Sequence, residues 1–129
     1  MTEIEKLYEL AGVEPRCNIY PTFYDCAKYP HEKCEDCVEW EYPQFTAEKQ
    51  IELIKWLGKM AGKLEISCNY NYTQYLAYFY LNRKTRDEIL PNITTGRNEN
   101  FAECLANLIN NLWQDLIPEE QEQIKEILR

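Results

Sequence analysis

Cys17, Cys26, Cys34 and Cys37 form a C-x8-C-x7-C-x2-C series, and His31, the only histidine of the chain, lies inside it. Thiolate and imidazole are the donors that zinc gathers into a tetrahedron, and a C-x2-C pair lets one tight turn offer two sulfurs to one ion. The series predicts a structural zinc held by Cys17, Cys26, Cys34 and Cys37, with His31 as an alternate ligand. Four protein donors leave no position for a reactive water. The alternative is a set of buried thiols, because free cysteine is among the most buried residue types. Cys68 and Cys104 fall on regular elements and read as core residues. No cysteine has a convincing catalytic partner and no pair of carboxylates stands out, so the chain reads as non-enzymatic.

A second constellation lies in the middle of the chain. Tyr70, Tyr72, Tyr75, Tyr78 and Tyr80 crowd one predicted hairpin, Arg83, Lys84 and Arg86 follow it, and Thr94-Thr95-Gly96-Arg97 leads toward a helix near Asn98. A helix start offers unpaired N–H groups and a positive dipole, a seat for phosphate or carboxylate. There Arg97 would pair with the anion, Thr95 and Asn98 would donate to it, and Gly96 would admit it close to the backbone. Arg83 and Arg86 would close the site, and Tyr75, Tyr78 or Tyr80 would stack on a base or ribose. The competing reading makes the tyrosines half-buried strand residues and the arginines solubilisers of a turn.

The elements that must position these groups follow from periodicity over 129 residues, the length of one domain with one modest core. Residues 2–11 read as a helix with Thr2 and Glu5 at its start, an apolar stripe of Ile4, Leu7, Tyr8 and Ala11, and Gly12 as its stop. Residues 15–45 follow no period and contain Pro15, Pro21, Pro30 and Pro43, so they form an irregular cysteine-rich insert. A second helix runs from an N-cap at Thr46 to about Ala61, ended by Gly62. Strands follow at 64–70 and 73–81, and Ile89-Leu90 and Ile93-Thr94 offer a short third strand that Pro91 confines to an edge. A long helix starts at Asn98 or Asn100, and Pro118 opens a terminal helix anchored by Ile124, Ile127 and Leu128. The expected single domain divides into 1–14, 15–45, 46–117 and 118–129. Both strand faces are apolar or aromatic, so the fold class is α+β, a small antiparallel sheet sandwiched between helices.

The formal charge of −8 argues against a general nucleic-acid binder. Its distribution is uneven: residues 46–97 carry a net +3 between ends that sum to −11. Such a chain repels polyanions at large yet accepts a small anion locally. No apolar run is long enough for a membrane span and the start, Met1-Thr2-Glu3-Ile4-Glu5, is acidic, so a cytoplasmic protein is expected.

The segments Phe45-Thr46-Ala47-Glu48-Lys49-Gln50-Ile51-Glu52-Leu53-Ile54-Lys55-Trp56-Leu57 and Phe101-Ala102-Glu103-Cys104-Leu105-Ala106-Asn107-Leu108-Ile109 carry a resemblance. Over residues 45–116 the chain resembles the small bacteriophage and prophage proteins with a "phage ABA sandwich" domain, in the same order of helix, hairpin and helix. Cys104 stands where that family more usually has alanine, and the cysteine-rich insert has no counterpart in it. The resemblance implies a phage accessory protein in the host cytoplasm, with no established activity and no functional residues to carry over. Together with the second constellation it leads to the expectation of a counter-defence sponge that sequesters a small anionic, nucleotide-derived host signal without turnover. Two alternatives stand beside it. One is an anti-CRISPR-like inhibitor that engages a host defence protein through the acidic helices; the other is a zinc-ordered structural or regulatory phage protein. A homo-oligomer is expected in each case.

Overall fold

The computed structural model describes residues 1–17, 40–60, 62–68, 74–81 and 92–129. Four helices and a three-stranded antiparallel sheet give an α+β fold. Helix α1 spans Glu3–Ala11, with the Thr2 hydroxyl accepting from the Glu5 N–H and Gly12 closing the end at φ 75°. That left-handed conformation is open to glycine at no steric cost. Two-residue strands β1 (Arg16–Cys17) and β2 (Trp40–Glu41) pair antiparallel, Arg16 with Glu41 and Cys17 with Trp40.

Helix α2, Ala47–Lys59, starts as expected at Thr46, whose hydroxyl accepts from the Lys49 N–H, but it ends at Met60 rather than at Gly62. Gly62 instead opens strand β3, Gly62–Cys68. Strands β4, Tyr75–Leu81, and β5, Asn92–Asn98, complete the sheet in the order β3-β4-β5. The third strand is longer than Ile93-Thr94 alone and reaches Asn98. Helix α3, Phe101–Leu112, is capped by the Asn100 side chain and passes through a 3-10 turn, Trp113–Asp115, into α4, Pro118–Leu128. Pro118 takes the first helical position, where its missing N–H costs nothing.

One core joins the helices to one face of the sheet. Leu7 and Tyr8 of α1, Leu53 and Leu57 of α2, Leu105, Leu108, Ile109 and Leu112 of α3, and Ile124 and Leu128 of α4 are all fully buried with Ala77 and Phe79 of β4. Leu64, Ile66 and Tyr75 pack against this cluster from the same face, whereas Leu76, Tyr78, Tyr80 and Ile93 belong to the other. The expectation of helices on both sides is therefore corrected for the described residues: the helical layer covers one face only. Tyrosine caused the difference, since it counts as apolar in a periodicity yet tolerates a half-wetted strand surface.

Helix α1 is docked by charge as well as by burial. The Glu103 carboxylate of α3 accepts from the N–H of Glu3 at 2.7 Å and of Ile4 at 3.3 Å, completing the α1 N-terminus. The Lys125 ammonium of α4 lies beside Gly12 at the other end. Carboxylate at the start and ammonium at the end both oppose the helix dipole. Asn110 donates to the Glu3 carbonyl at 2.9 Å and to its carboxylate at 2.8 Å. Burial disfavours the Glu3 carboxylate, but hydrogen bonds from Asn107 and Asn110 and the charge of Lys6 together hold its pKa below the usual value.

Candidate functional site

Pairing in the sheet decides which candidate residues meet. Tyr78 lies opposite Thr95 and Leu76 opposite Arg97, so the next residue over on each strand faces the other way. Tyr78, Tyr80, Thr95 and Arg97 consequently share the open face, while Tyr75, Gly96 and Asn98 share the helix-covered one. Lys63 and Glu65 complete the open face from β3, Lys63 beside Tyr80 and Glu65 beside Tyr78. Tyr78 and Tyr80 are half-buried, Thr95, Arg97, Lys63 and Glu65 are exposed, and Ile93 is 56% exposed. Arg97 sits diagonally from Tyr78, within reach of a long side chain. The surface is a pair of phenol rings with a guanidinium near one and an ammonium near the other.

The Lys63 ammonium and the Glu65 carboxylate are 2.9 Å apart, 72% and 48% exposed. Their hydrogen bond, then their mutual charge, holds Lys63 above its usual pKa. Sequence reading passed over Lys63 and Glu65, although their alternation in Lys63-Leu64-Glu65 was the available sign that this face of β3 meets water.

Gly96 has a different role from the one expected. A Cβ placed there would lie 2.6 Å from the Leu108 N and 2.8 Å from the Cys104 carbonyl oxygen. The body that approaches its backbone is α3 rather than an anion, and the helix lies so close that no larger residue fits. Thr95, Gly96, Arg97 and Asn98 lead to the start of α3 at its N-cap Asn100 as expected, but they do so as the last part of strand β5. The start of α3 is already occupied: the Asn100 Oδ1 accepts from the Glu103 N–H at 3.1 Å. Asn98 Oδ1 accepts from the Asn100 N–H at 3.0 Å in the connecting turn. Tyr75 meets Phe101 edge-on, ring centroids 5.5 Å apart, and is removed from any stacking role on the open face.

Asn107 and Asn111, which the sequence did not single out, cap the outer edge of β5. The Arg97 N–H donates to Asn107 Oδ1 at 3.0 Å, and Asn111 Nδ2 donates to the Thr95 carbonyl at 2.8 Å. Helix side chains thus occupy part of the edge where a fourth strand would pair.

Arg83, Arg86, the expected strand residues Ile89-Leu90, and the predicted zinc ligands Cys26, His31, Cys34 and Cys37 lie outside the described residues; Cys17 ends β1. Cys104 is buried, its thiol 3.4 Å from the Tyr75 carbonyl and 3.7 Å from that of Gly96, and burial pushes its pKa up. Cys68 is exposed at the end of β3, against the expectation of a core position. A cleft of about 400 Å³ between α2 and α4 is lined by Thr46, Lys49, Ile51, Glu52, Ile127 and Arg129 among others, and contains none of the predicted site residues. No helix of the described residues is long and apolar enough to cross a membrane.

No family model, curated protein or solved structure matches this chain.

Proposed function

We propose that this chain is a non-catalytic binding protein whose open sheet face takes a small anionic ligand with an aromatic ring, of the nucleotide class. The observation that carries this reading is the convergence of Tyr78, Tyr80, Thr95 and Arg97 on one face, with Lys63 at its β3 side. Half-exposed phenol rings on a rigid sheet stack on a base, since every base has a π-face. Arg97 pairs with a phosphate from a neighbouring position. The overall charge of −8 keeps long polyanions away while leaving this local cationic face usable. The resemblance to phage sandwich-domain proteins supports placing the activity in a phage accessory role, the withholding of a host nucleotide signal by stoichiometric binding. In that role Cys17, Cys26, Cys34 and Cys37 hold a structural zinc.

Isothermal titration against cyclic nucleotides and ADP-ribose derivatives tests the reading. Saturable binding without turnover is expected, weakened roughly tenfold or more by Arg97→Ala and by Tyr78→Ala, with the fold retained by circular dichroism. Absence of heat from every member of the panel would remove the proposal.

A second reading rests on a separate observation. Helices α1 and α4 pack against each other, which brings the acidic ends of the chain together in space. Glu5 and Glu9 raise the pKa of Tyr42 after burial has done so, and Glu119, Glu122 and Glu126 are exposed on α4. That surface suits a basic groove on a host defence protein. Reversing the three α4 charges and following co-purification from host lysate separates this reading from the first, because it leaves the sheet face untouched.

A further inference from the structure

We infer that β3 is the self-association edge of this protein, and that two copies join through it into one continuous antiparallel sheet with Lys63 of each chain opposite Glu65 of the other. This inference does not depend on the ligand reading.

The direction of the free backbone groups follows from β5. Its Thr95 carbonyl and Arg97 N–H are taken by Asn111 and Asn107 and so point away from β4. Both backbone groups of a residue in an antiparallel ladder point to the same side, and the side alternates along the strand. Tyr78 and Leu76, opposite Thr95 and Arg97, therefore turn toward β3, where they meet Glu65 and Ser67. Leu64 and Ile66 are left with N–H and C=O directed outward, and no strand among the described residues pairs with them. On β5 the asparagines take two of the outward backbone groups; on β3, a strand of seven residues, none of them meets another strand among the described residues. An open edge of that length is a template for another strand.

Charge selects the partner and the register. With the two-fold axis at Leu64, Leu64 faces Leu64 of the second copy, Gly62 and Ile66 exchange hydrogen bonds, and Lys63 faces the partner's Glu65 twice over. These two charge pairs fall at non-hydrogen-bonded positions, where side chains are closest. Moving the axis to Glu65 sets Glu65 against Glu65, and moving it to Lys63 sets Lys63 against Lys63. Moving it to Ile66 sets Glu65 against Ser67 and loses both pairs. A second copy of this chain is thus the occupant whose charges match the edge.

Sedimentation velocity across a wide concentration range tests this. The unaltered chain should associate to a dimer. Lys63→Glu and Glu65→Lys each place like charges opposite one another and should weaken association roughly tenfold or more. Both positions are largely exposed, and thermal unfolding verifies that each variant folds. Mixing the two single variants should restore association as a mixed dimer, and the double variant K63E/E65K should dimerise like the unaltered chain. A chain that stays monomeric at every concentration, single variants that associate unchanged, or a mixture that fails to recover would each overturn the inference.

Discussion

The two faces of one sheet share a backbone and differ in what their side chains meet. On the covered face Ala77, Phe79, Thr94 and Gly96 are buried, and Gly96 is in backbone contact with α3. On the open face Tyr78, Tyr80, Thr95 and Arg97 keep part or all of their surface. A period of two sends neighbouring residues to environments with opposite tolerance for change. Close packing is concentrated on one side of the strand, and side chains that meet water stand on the other.

The sharpest way to break this contrast is to change two adjacent residues. Gly96→Ala forces a Cβ against the Leu108 and Cys104 backbone, which cannot swing aside as a side chain would. It should cost about 3 kcal/mol in chemical denaturation, whereas Thr95→Ala, one residue away on the open face, should stay within about 0.5 kcal/mol. Equal losses at the two positions would erase the distinction between the faces.

A smaller effect is expected within the helical layer. Glu103→Ala removes the acceptor for two α1 N–H groups and should cost about 1–2 kcal/mol, with Glu103→Gln recovering part of the loss. Amide exchange at Glu3 and Ile4 would rise in step with the loss if the carboxylate acts as the α1 cap.

The covered side also holds one imperfect contact. Tyr8 is fully buried, its ring stacked on Tyr42 at 5.3 Å and edge-on to Phe45 at 6.4 Å, yet its hydroxyl has no hydrogen-bond partner among the described residues. Tyr8→Phe should therefore stabilise by about 1 kcal/mol, against the usual cost of a core substitution. Burial pushes the Tyr8 pKa up from 10.0 to about 12, so the folded chain holds this proton when the unfolded chain releases it. The associated stability is complete below pH 10 and is lost as pH rises toward about 12. Denaturation between pH 9 and 12 should show that decline in the unaltered chain and a shallower one in Y8F.

Much of the architecture was legible because it rests on local rules. Thr2, Thr46, Gly12 and Pro118 act at helix ends through their own hydroxyls, dihedral freedom or missing N–H, and they stand where the pattern put them. The candidate site was only half legible. Tyr78, Tyr80, Thr95 and Arg97 share one face, whereas Tyr75, Gly96 and Asn98, expected beside them, lie on the reverse side, and Arg83 and Arg86 lie outside the described residues. The difference arises because Thr94-Thr95-Gly96-Arg97 approaches α3 as a strand paired with β4, with alternate residues on opposite faces. Nothing in a four-residue polar run distinguishes a loop from an edge strand.

The chain by itself settled where the four helices and strands β3 and β4 lie, because capping, turn chemistry and hydrophobic period act over a few residues. Tertiary packing alone decided which side of each strand is dry, that the space beside Gly96 belongs to α3, and that Asn107 and Asn111 reach the β5 edge while β3 has no outer strand partner among the described residues. Those outcomes depend on strand register and on helix placement, and both are set by contacts between residues far apart in the chain.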